Sequence, residues 1–538
     1  MIVRSLVVLC VALLVALLPV VSDDAAAGTL IDLSLERVPA ICGDVPEGQF
    51  GFCTAIADLD GNGFRELIVG APGMPGTTGT DHTGGVFLFD RSAGDALQRL
   101  LLQGEARPDA QGVLGVSSDE IAVAFIGGTA DRGRFGESLA VGDFDGDGIE
   151  DLAVGAPASD CAGAISCGSA AVFFGSVQRS LGRMAEIGPD VVVSGSLAGG
   201  RLGSAMASVD IDGDGSDELL IAAPGGETWA EDPGAIFVIR GSILRTAAAS
   251  PDHGAAAEEM AEAIIVGQSR GDALGGIAAG DIDGDGRVDL VLGAYQADCG
   301  DPPLIDAGRV YFMPAMRVHE NGATVLPAAG SGTVDGTAER GFLGRSMAVG
   351  DIDQDGVDDV LVSEYGSGAG SDRIEATGEV FILFGGLGAA GRSGAVGAPA
   401  SLSDTSVPRF TARARCDMFG LPVLLSDIDG DGYADMLVAS QFADGLDDDR
   451  ESCGEVYVYR GSLKSVMAAK AGSAERAGIT IVGERASDSI GGSLLVSDIF
   501  GGIAPELIIG APDAAGRGIE AGEREGMLIV VPDLLLAR

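Results

Sequence analysis

The chain has 538 residues, with 33 Lys and Arg against 80 Asp and Glu, which gives a formal net charge of −47. This acidic excess disfavours binding to nucleic acid or to an anionic membrane surface, because both carry negative charge themselves. Hydrophobic residues make up 46% of the chain, which suffices for a large core. The 86 glycines and only 5% aromatic residues indicate small aliphatic core side chains and many turns.

Residues 1–27 have the pattern of a secretory signal peptide. Arg4 precedes an apolar run over residues 6–21, and three alanines at 25–27 follow it. The alternative is an uncleaved membrane anchor, but the apolar run is short for a membrane span. We therefore expect a mature domain over residues 28–538 that is secreted, periplasmic or at the cell surface, with no further membrane span.

The mature chain retains seven cysteines, and disulfides are typical of exported proteins. They are Cys42, Cys53, Cys161, Cys167, Cys299, Cys416 and Cys453. Cys161 and Cys167 form the most local pair. Proximity alone suggests Cys42 with Cys53 and Cys416 with Cys453, which leaves Cys299 free.

One stretch, residues 143–157, has the pattern of a metal-binding loop followed by a strand. Acidic residues stand at loop positions 1, 3, 5 and 9, a backbone carbonyl is available at position 7, and Gly148 at position 6 permits a sharp turn. Oxygen ligands without His or Cys suit a hard cation, and a flexible loop of carboxylates suits Ca²⁺ better than Mg²⁺.

An EF-hand is the obvious alternative, since its loop begins in the same way. An EF-hand loop ends with a bidentate Glu at position 12, whereas this loop has Val154 there. A short apolar run ending in Gly155-Ala156-Pro157 follows the loop, and it predicts a buried strand rather than a helix.

The stretch recurs along the chain. Six loops keep the pattern, over residues 58–66, 143–151, 210–218, 281–289, 351–359 and 427–435. Their predicted ligands, at positions 1, 3, 5, 7 and 9, are Asp58, Asp60, Asn62, Phe64 and Glu66; Asp143, Asp145, Asp147, Ile149 and Asp151; Asp210, Asp212, Asp214, Ser216 and Glu218; Asp281, Asp283, Asp285, Arg287 and Asp289; Asp351, Asp353, Asp355, Val357 and Asp359; and Asp427, Asp429, Asp431, Tyr433 and Asp435. A seventh copy over 498–506 has Phe500 and Gly502 at ligand positions. We therefore expect about six calcium ions and an empty seventh loop.

Each copy lies among four apolar runs, at a mean spacing of about 73 residues, which is typical of four-stranded propeller blades. The sequence thus predicts an all-β, seven-bladed β-propeller of antiparallel blades. The longest interval suggests an insertion over residues 104–134. The last unit lacks its fourth run, and we expect residues 29–35 to supply that strand and close the ring, which removes open sheet edges.

The Phe-Gly, Asp-x-Asp-Gly-Asp-Gly-x-x-Asp and Gly-Ala-Pro series resembles the FG-GAP repeat. This repeat forms the blades of the seven-bladed propeller of integrin α chains and of related secreted bacterial proteins, and the resemblance covers nearly the whole mature chain. It implies a propeller used for binding. Integrin α chains carry fewer calcium blades than six, and this chain lacks their leg domains and membrane span, so the resemblance implies no integrin partner.

Four other patterns are best explained without function. The G-x-S-x-G pattern at 267–271 and the Arg-Gly-Asp tripeptide at 270–272 lie in a predicted loop and are explained by chance. The three histidines show no zinc spacing. The run 447–449 of three aspartates is read as a solvated loop, with an extra cation site as the alternative.

Two functions from different classes remain open. One is a noncatalytic extracellular binding or adhesion module for a protein or a glycan, favoured because the repeated acidic residues are all assigned to calcium. The other is a calcium-dependent extracellular enzyme, such as a polysaccharide lyase or a hydrolase, which would need a Lys, Arg, Tyr or His in a central cleft. Basic residues clustered with a Tyr or a His at one end of the channel would favour the enzyme.

Recognition is expected on the face opposite the calcium loops, because variable loops on a rigid scaffold usually carry binding sites. The calcium face is expected to be short and uniform. The other face would hold the loops 73–84, 158–168, 225–233, 296–307, 366–377, 441–453 and 513–525, together with the insertion at 104–134. Trp229, beside Glu227, Glu231 and Asp232, either contacts a sugar ring or a basic partner, or merely covers its loop. We expect a monomer.

Overall fold

A computed structural model of the chain shows an all-β propeller. It describes residues 29–33, 38–75, 82–94, 96–97, 114–130, 132–161, 163–176, 188–225, 233–250, 253–314, 322–327, 332–368, 376–386, 402–403, 407–412, 417–445, 450–460, 472–473, 477–499, 505–514 and 524–532. The predicted signal peptide lies outside these residues. None of the helices among them is long and apolar enough to span a membrane.

Seven sheets each contain four antiparallel strands, and we number the sheets as blades 1 to 7 along the chain. The first strands are Cys53–Ala57, Ser138–Gly142, Met206–Val209, Leu274–Gly280, Met347–Gly350, Val423–Ser426 and Leu494–Ser497. The second strands are Glu66–Ala71, Asp151–Ala156, Glu218–Ala223, Asp289–Ala294, Asp359–Glu364, Asp435–Ser440 and Glu506–Ala511. The third strands are Gly85–Phe89, Ser169–Phe173, Ala235–Ile239, Arg309–Met313, Glu379–Leu383, Glu455–Tyr459 and Met527–Val531. The fourth strands are Ala124–Gly127, Val191–Ser194, Ala263–Val266, Gly332–Asp335, Arg409–Thr411, Ile479–Val482 and Pro39–Cys42.

The first strands form the inner wall of the ring, where those of adjacent blades contact one another all the way round. The second strands are almost completely buried, because both faces of a blade pack against neighbouring blades. For example, Ile68 and Val86 of blade 1 share a core with Leu152 and Val154 of blade 2. This environment explains why these strands are continuous apolar runs rather than alternating ones.

The ring closes through a different N-terminal strand from the one predicted. Pro39–Cys42 is the fourth strand of blade 7, antiparallel to Met527–Val531, with Ala40 opposite Ile529. The predicted closing segment forms a strand over Thr29–Asp32, but it lies parallel to Ile479–Val482 at the outer edge of blade 6. Both segments are strands, and only their long-range partners decide which one closes the ring.

Thr29–Asp32 belongs to a recurring set of fifth strands that lie parallel to a fourth strand. The others are Leu114–Ser117 on blade 7, Gly254–Ala256 on blade 2, Gly322–Val325 on blade 3 and Gly472–Ser473 on blade 5. Each precedes the fourth strand of the following blade in the ring and pairs with the blade before it. Adjacent blades are thereby joined by backbone hydrogen bonds as well as by apolar packing.

The described part of the region predicted as an insertion contains regular structure. Residues 114–127 hold a fifth strand, a one-turn helix over Ser118–Ile121 and the fourth strand of blade 1. This connection joins a third strand to a fourth strand, so it lies at the end of the blade that carries the predicted metal loops. The prediction that it lies at the opposite end is wrong. The helices Gly241–Ala248 and Ala257–Met260 occupy the corresponding connection of blade 3. The face that carries the predicted metal loops is consequently neither short nor uniform.

The cysteines follow the prediction only in part. Cys161 and Cys167 form a disulfide, as predicted. Cys42 and Cys53 do not pair, because Cys42 lies in the outer strand of blade 7 and Cys53 in the inner strand of blade 1, where its thiol donates to the carbonyl of Gly136 at 3.1 Å. Cys299 is a buried thiol, as is Cys453, and the residue predicted to pair with Cys453 lies outside the described residues.

A buried carboxylate links blades 4 and 5. Glu364 ends the second strand of blade 5 and is fully buried. It accepts hydrogen bonds from the backbone N–H of Thr337 at 2.6 Å and of Ala338 at 2.9 Å, and from the Thr337 hydroxyl at 2.8 Å. Burial raises the pKa of Glu364 to about 7, although these hydrogen bonds partly oppose the shift.

Truncations separate the roles of the two N-terminal strands. A chain beginning at Val38 should remain a monomer with a lower melting temperature, because it loses the burial of Ile31 and the paired contacts between Asp32 and Arg450. A chain beginning at Asp44 should aggregate, because the buried strand Met527–Val531 becomes an open edge. Light scattering after size exclusion, with calorimetry, measures both. Identical behaviour of the two truncations would contradict this assignment of strands.

The raised pKa of Glu364 predicts a pH-dependent stability. Its folded pKa of about 7 exceeds that of an unfolded Glu, so the stability that protonation provides is complete at acid pH and is lost as the pH rises through 7. Glu364→Gln should match the wild type at about pH 4, below the pKa of an unfolded Glu, and exceed it in unfolding free energy by up to about 3 kcal/mol at about pH 8. Calorimetry across this pH range tests this, with Glu339→Gln on the exposed neighbouring turn as the control. Parallel pH profiles for wild type and Glu364→Gln would refute it.

Candidate metal sites and the opposite face

Each predicted loop is held by hydrogen bonds from its own backbone to its carboxylates. In the loop of blade 2, Asp143 accepts from the N–H of Asp147 at 3.0 Å and from that of Gly148 at 2.8 Å. Asp145 accepts from the N–H of Asp147 at 3.1 Å, and Asp147 accepts from that of Ile149 at 2.9 Å. The carboxylates at positions 1, 3 and 5 therefore have fixed orientations around the turn.

The position-9 carboxylate connects the loop to the core. Asp151 is fully buried and accepts from the N–H of Phe144 at 2.8 Å and from that of Gly175 at 2.7 Å. Burial raises its pKa to about 8, and the nearby Asp145 adds to the shift. For the same reason, burial raises the pKa values of Glu66 and Glu218 to about 7 and that of Asp359 to about 6.

The pattern is common to all six loops. In blade 6, Asp427 accepts from the N–H of Asp431 at 3.1 Å and from that of Gly432 at 2.9 Å, and Asp435 accepts from that of Ile428 at 2.9 Å. In five loops, three carboxylates place one oxygen each within 4.8 Å of the others. These groups are Asp58, Asp60 and Glu66; Asp143, Asp145 and Asp151; Asp210, Asp212 and Glu218; Asp281, Asp283 and Asp285; and Asp351, Asp353 and Asp355.

The oxygen atoms of these carboxylates fit a hard divalent cation as ligands. Carboxylates this close repel one another unless a proton or a cation neutralises them, and the donors are all oxygens. The predicted ligand at position 7 is a backbone carbonyl and not a side chain, which explains why the residue type at this position differs so widely among the six loops. The side chain of Phe64, for example, is 52% exposed.

The seventh loop retains one part of the motif that our sequence analysis missed. Glu506 stands at position 9, is buried, and accepts from the N–H of Ile499 at 2.9 Å, as Glu66 does from Leu59. Its spacing of eight residues from Asp498 is the signal that would have identified it. Residues 500–504 lie outside the described part of the chain, so Glu506 is assigned only as the structural anchor of this turn.

One end of the blades carries these loops, and a small cluster of arginines lies at the other. Arg201 and Arg345 line a cavity of about 170 Å³ together with Tyr295 and Glu137. The Arg345 guanidinium lies over the Tyr295 ring at 5.5 Å from its centroid, and the Arg201 guanidinium is 3.4 Å from Glu137, which Arg134 also contacts. These residues precede first strands or follow second strands, which places them opposite the predicted metal loops.

Several residues that we had predicted to contact a partner lie outside the described residues. They are Trp229, Glu227, Glu231, Asp232 and the run 447–449. Ser269 of the G-x-S-x-G pattern is described, and its N–H donates to the carboxylate of Asp272 at 2.7 Å within a turn. This turn follows the fourth strand of blade 3, as predicted.

Comparison with known proteins agrees with this architecture. The FG-GAP repeat profile matches residues 135–173, 202–239, 274–313 and 343–383, which fall in blades 2 to 5. Phosphatidylinositol-glycan-specific phospholipase D of Homo sapiens is 26% identical over 475 residues, which cover 84% of this chain and 51% of that protein. Its Rattus norvegicus counterpart is 35% identical over 180 residues, covering 34% and 19%, respectively.

Integrin alpha-IIb of Homo sapiens is 30% identical over 248 residues, which cover 45% of this chain and 20% of the integrin. The chain thus spans about half or less of the length of these relatives. It carries FG-GAP repeats homologous to those of integrin alpha chains and of phosphatidylinositol-glycan-specific phospholipase D, arranged as a seven-bladed propeller.

Proposed function

We propose that this protein is a secreted calcium-binding propeller that acts as a noncatalytic binding or adhesion module for an extracellular protein or glycan. The observation that carries the proposal is the repetition of one oxygen cluster in the blades. The same backbone hydrogen bonds orient the carboxylates in six loops, and none of these carboxylates is left over for catalysis. Six calcium ions would neutralise these clusters and leave the opposite face for the partner.

The assignment to calcium rests on the chemistry of the donors. Each loop offers carboxylate or amide oxygens from positions 1, 3, 5 and 9 and a carbonyl from position 7, and Ca²⁺ accepts six to eight oxygen ligands in flexible geometry. The predicted ligands are those named for the six loops above. When bound, the ion would supply positive charge to the cluster, while the chain's own N–H groups hold the carboxylates in place.

The face opposite the loops is proposed as the partner site. Its described residues include Arg201 and Arg345, which line one cavity with Glu137, and Glu137 contacts both Arg134 and Arg201. A guanidinium binds carboxylates well, since its planar donors match their geometry. We therefore favour a carboxylated glycan as the partner.

The arginine cavity also favours a second candidate, a calcium-dependent extracellular enzyme such as a polysaccharide lyase or hydrolase. Tyr295 lies beside Arg345 in the cavity, and this is the combination of residues that such an enzyme would need at one end of the channel. The name of the phospholipase D relatives is compatible with an enzyme as well. Binding without release of product would support the module, and release of product would support the enzyme.

Removal of calcium should destabilise the protein strongly. Without the ions, repulsion among the carboxylates acts in all six loops, so EDTA should lower the melting temperature by tens of degrees. Scanning calorimetry with EDTA and after readdition of calcium measures the effect. A melting temperature unaffected by exhaustive chelation would refute calcium as a structural ion.

Single ligands should account for single ions. Asp145→Ala should reduce bound calcium by one ion per chain, because it removes the position-3 carboxylate of one loop. Asp498→Ala is the matched control, since the seventh loop lacks ligands at positions 3 and 5. Elemental analysis of the dialysed proteins counts the ions, and an equal count in wild type and Asp145→Ala would contradict the assignment.

Binding should depend on the arginine face. On an array of uronic-acid and neutral glycans, Arg345→Gln should weaken binding to the uronic-acid glycans with the melting temperature unchanged. Arg287→Gln, an exposed arginine on the calcium face, is the matched control and should bind as the wild type does. Trp229→Ala and neutralisation of Asp447 to Asp449 test the predicted loops in the same way. Equal losses from Arg287→Gln and Arg345→Gln would show that the partner face is wrong.

A further inference from the structure

The residue at position 8 of each loop lies between two predicted ligands, the carbonyl at position 7 and the carboxylate at position 9. In blade 3 this residue is Asp217, and it contacts the loop of blade 2. Its carboxylate accepts from the N–H of Asp143 at 3.1 Å, and its own N–H donates to the carbonyl of Asp143 at 2.9 Å. The backbone of the first ligand in one loop is thus held from both sides by the next loop.

The same contact is present at two other junctions. Asp358 of blade 5 accepts from the N–H of Asp281 in blade 4 at 2.8 Å and donates to its carbonyl at 2.9 Å. Glu150 of blade 2 accepts from the N–H of Asp58 in blade 1 at 2.7 Å. At position 8 of blades 4, 6 and 7 stand Val288, Ala434 and Pro505, which have no carboxylate to make this contact.

The residues before the loops of blades 2 and 4 support this pairing independently. Gly142 precedes the loop of blade 2, and a Cβ there would lie 2.2 Å from the Asp217 carboxylate and 1.8 Å from the Ser208 hydroxyl. Gly280 precedes the loop of blade 4, and a Cβ there would lie 2.3 Å from the Val349 side chain and 2.6 Å from the Asp358 carboxylate. At both positions the side chains of the next blade, including the position-8 aspartate, approach too closely for a Cβ.

We infer that these position-8 carboxylates couple cation binding between adjacent loops, in the series of blades 3, 2 and 1 and in the pair of blades 5 and 4. The inference rests on the cation binding proposed above. A cation in the loop of blade 3 would hold its ligands Ser216 and Glu218 in place, and these two residues flank Asp217. The carboxylate and the N–H of Asp217, which contact the backbone of Asp143, would then be held in place as well. By linkage, binding in either loop strengthens binding in the other. Position 8 provides no such contact for the loop of blade 6, because Ala434 and Pro505 carry no carboxylate.

The test disables one loop and measures its neighbour. Hydrogen exchange of a peptide covering residues 143–151, followed during a calcium titration of the full chain, reports the affinity of the loop in blade 2. Asp214→Ala disables the loop of blade 3 and should weaken calcium binding in blade 2 about fivefold or more. Asp285→Ala, the matched control, disables the loop of blade 4 and should leave blade 3 unchanged, because Val288 makes no such contact.

A second pair of variants leaves every ligand intact. Gly142→Ala should displace Asp217, so calcium binding in blade 2 should weaken and should no longer respond to Asp214→Ala. Gly350→Ala is the matched control at the same position of blade 5, where the added Cβ meets only Leu425 at 3.7 Å. That variant should leave all loops unaffected.

The outcomes separate the inference from the function on which it rests. Absence of calcium-dependent protection in the wild-type loops would overturn the proposed calcium binding. Binding in blade 2 that does not respond to Asp214→Ala would overturn only the coupling. Equal responses to Asp214→Ala and Asp285→Ala would also overturn it, since they would indicate long-range electrostatics rather than the position-8 contact.

Discussion

Repulsion among clustered carboxylates is the constraint on which the rest of this structure depends. In five loops, three carboxylate oxygens lie within 4.8 Å of one another, and buried acids such as Asp151 have pKa values raised well above their usual range. Backbone N–H groups orient these side chains but do not neutralise them. The cations proposed for these loops would neutralise the clusters, and their binding would then stabilise the fold.

Closure of the ring is the second constraint. A propeller blade buries both faces against its neighbours, so every blade needs a neighbouring blade on each side. Each blade also needs an outer, fourth strand that pairs with the edge of its third strand. Here the outer strand of the last blade comes from Pro39–Cys42, and the preceding strand Thr29–Asp32 continues onto blade 6. The parallel fifth strands make this connection at five of the seven junctions in the described structure, where adjacent blades are linked by backbone pairing that does not depend on metal.

The two ends of the propeller differ in chemistry. The loop end concentrates carboxylates and is covered in part by connections from third to fourth strands, such as the helix Gly241–Ala248, whose Arg245 donates to the carbonyl of Asp145. The other end carries the connections between second and third strands and the cavity with Arg201 and Arg345. This separation places proposed structural cations and a proposed ligand on opposite faces, so that binding on one face need not disturb the other.

The sequence by itself determined the repeat, the number of blades and the residues of the six loops, because these depend on local spacing and on residue type. The tertiary structure alone decided which N-terminal strand closes the ring, since Thr29–Asp32 and Pro39–Cys42 are both strands and differ only in distant partners. It likewise showed that Cys42 and Cys53, near in sequence, lie in different blades. The contacts of Asp217 and Asp358 with neighbouring loops also lay beyond prediction, because residues more than 70 positions apart become neighbours only when the blades pack around the ring.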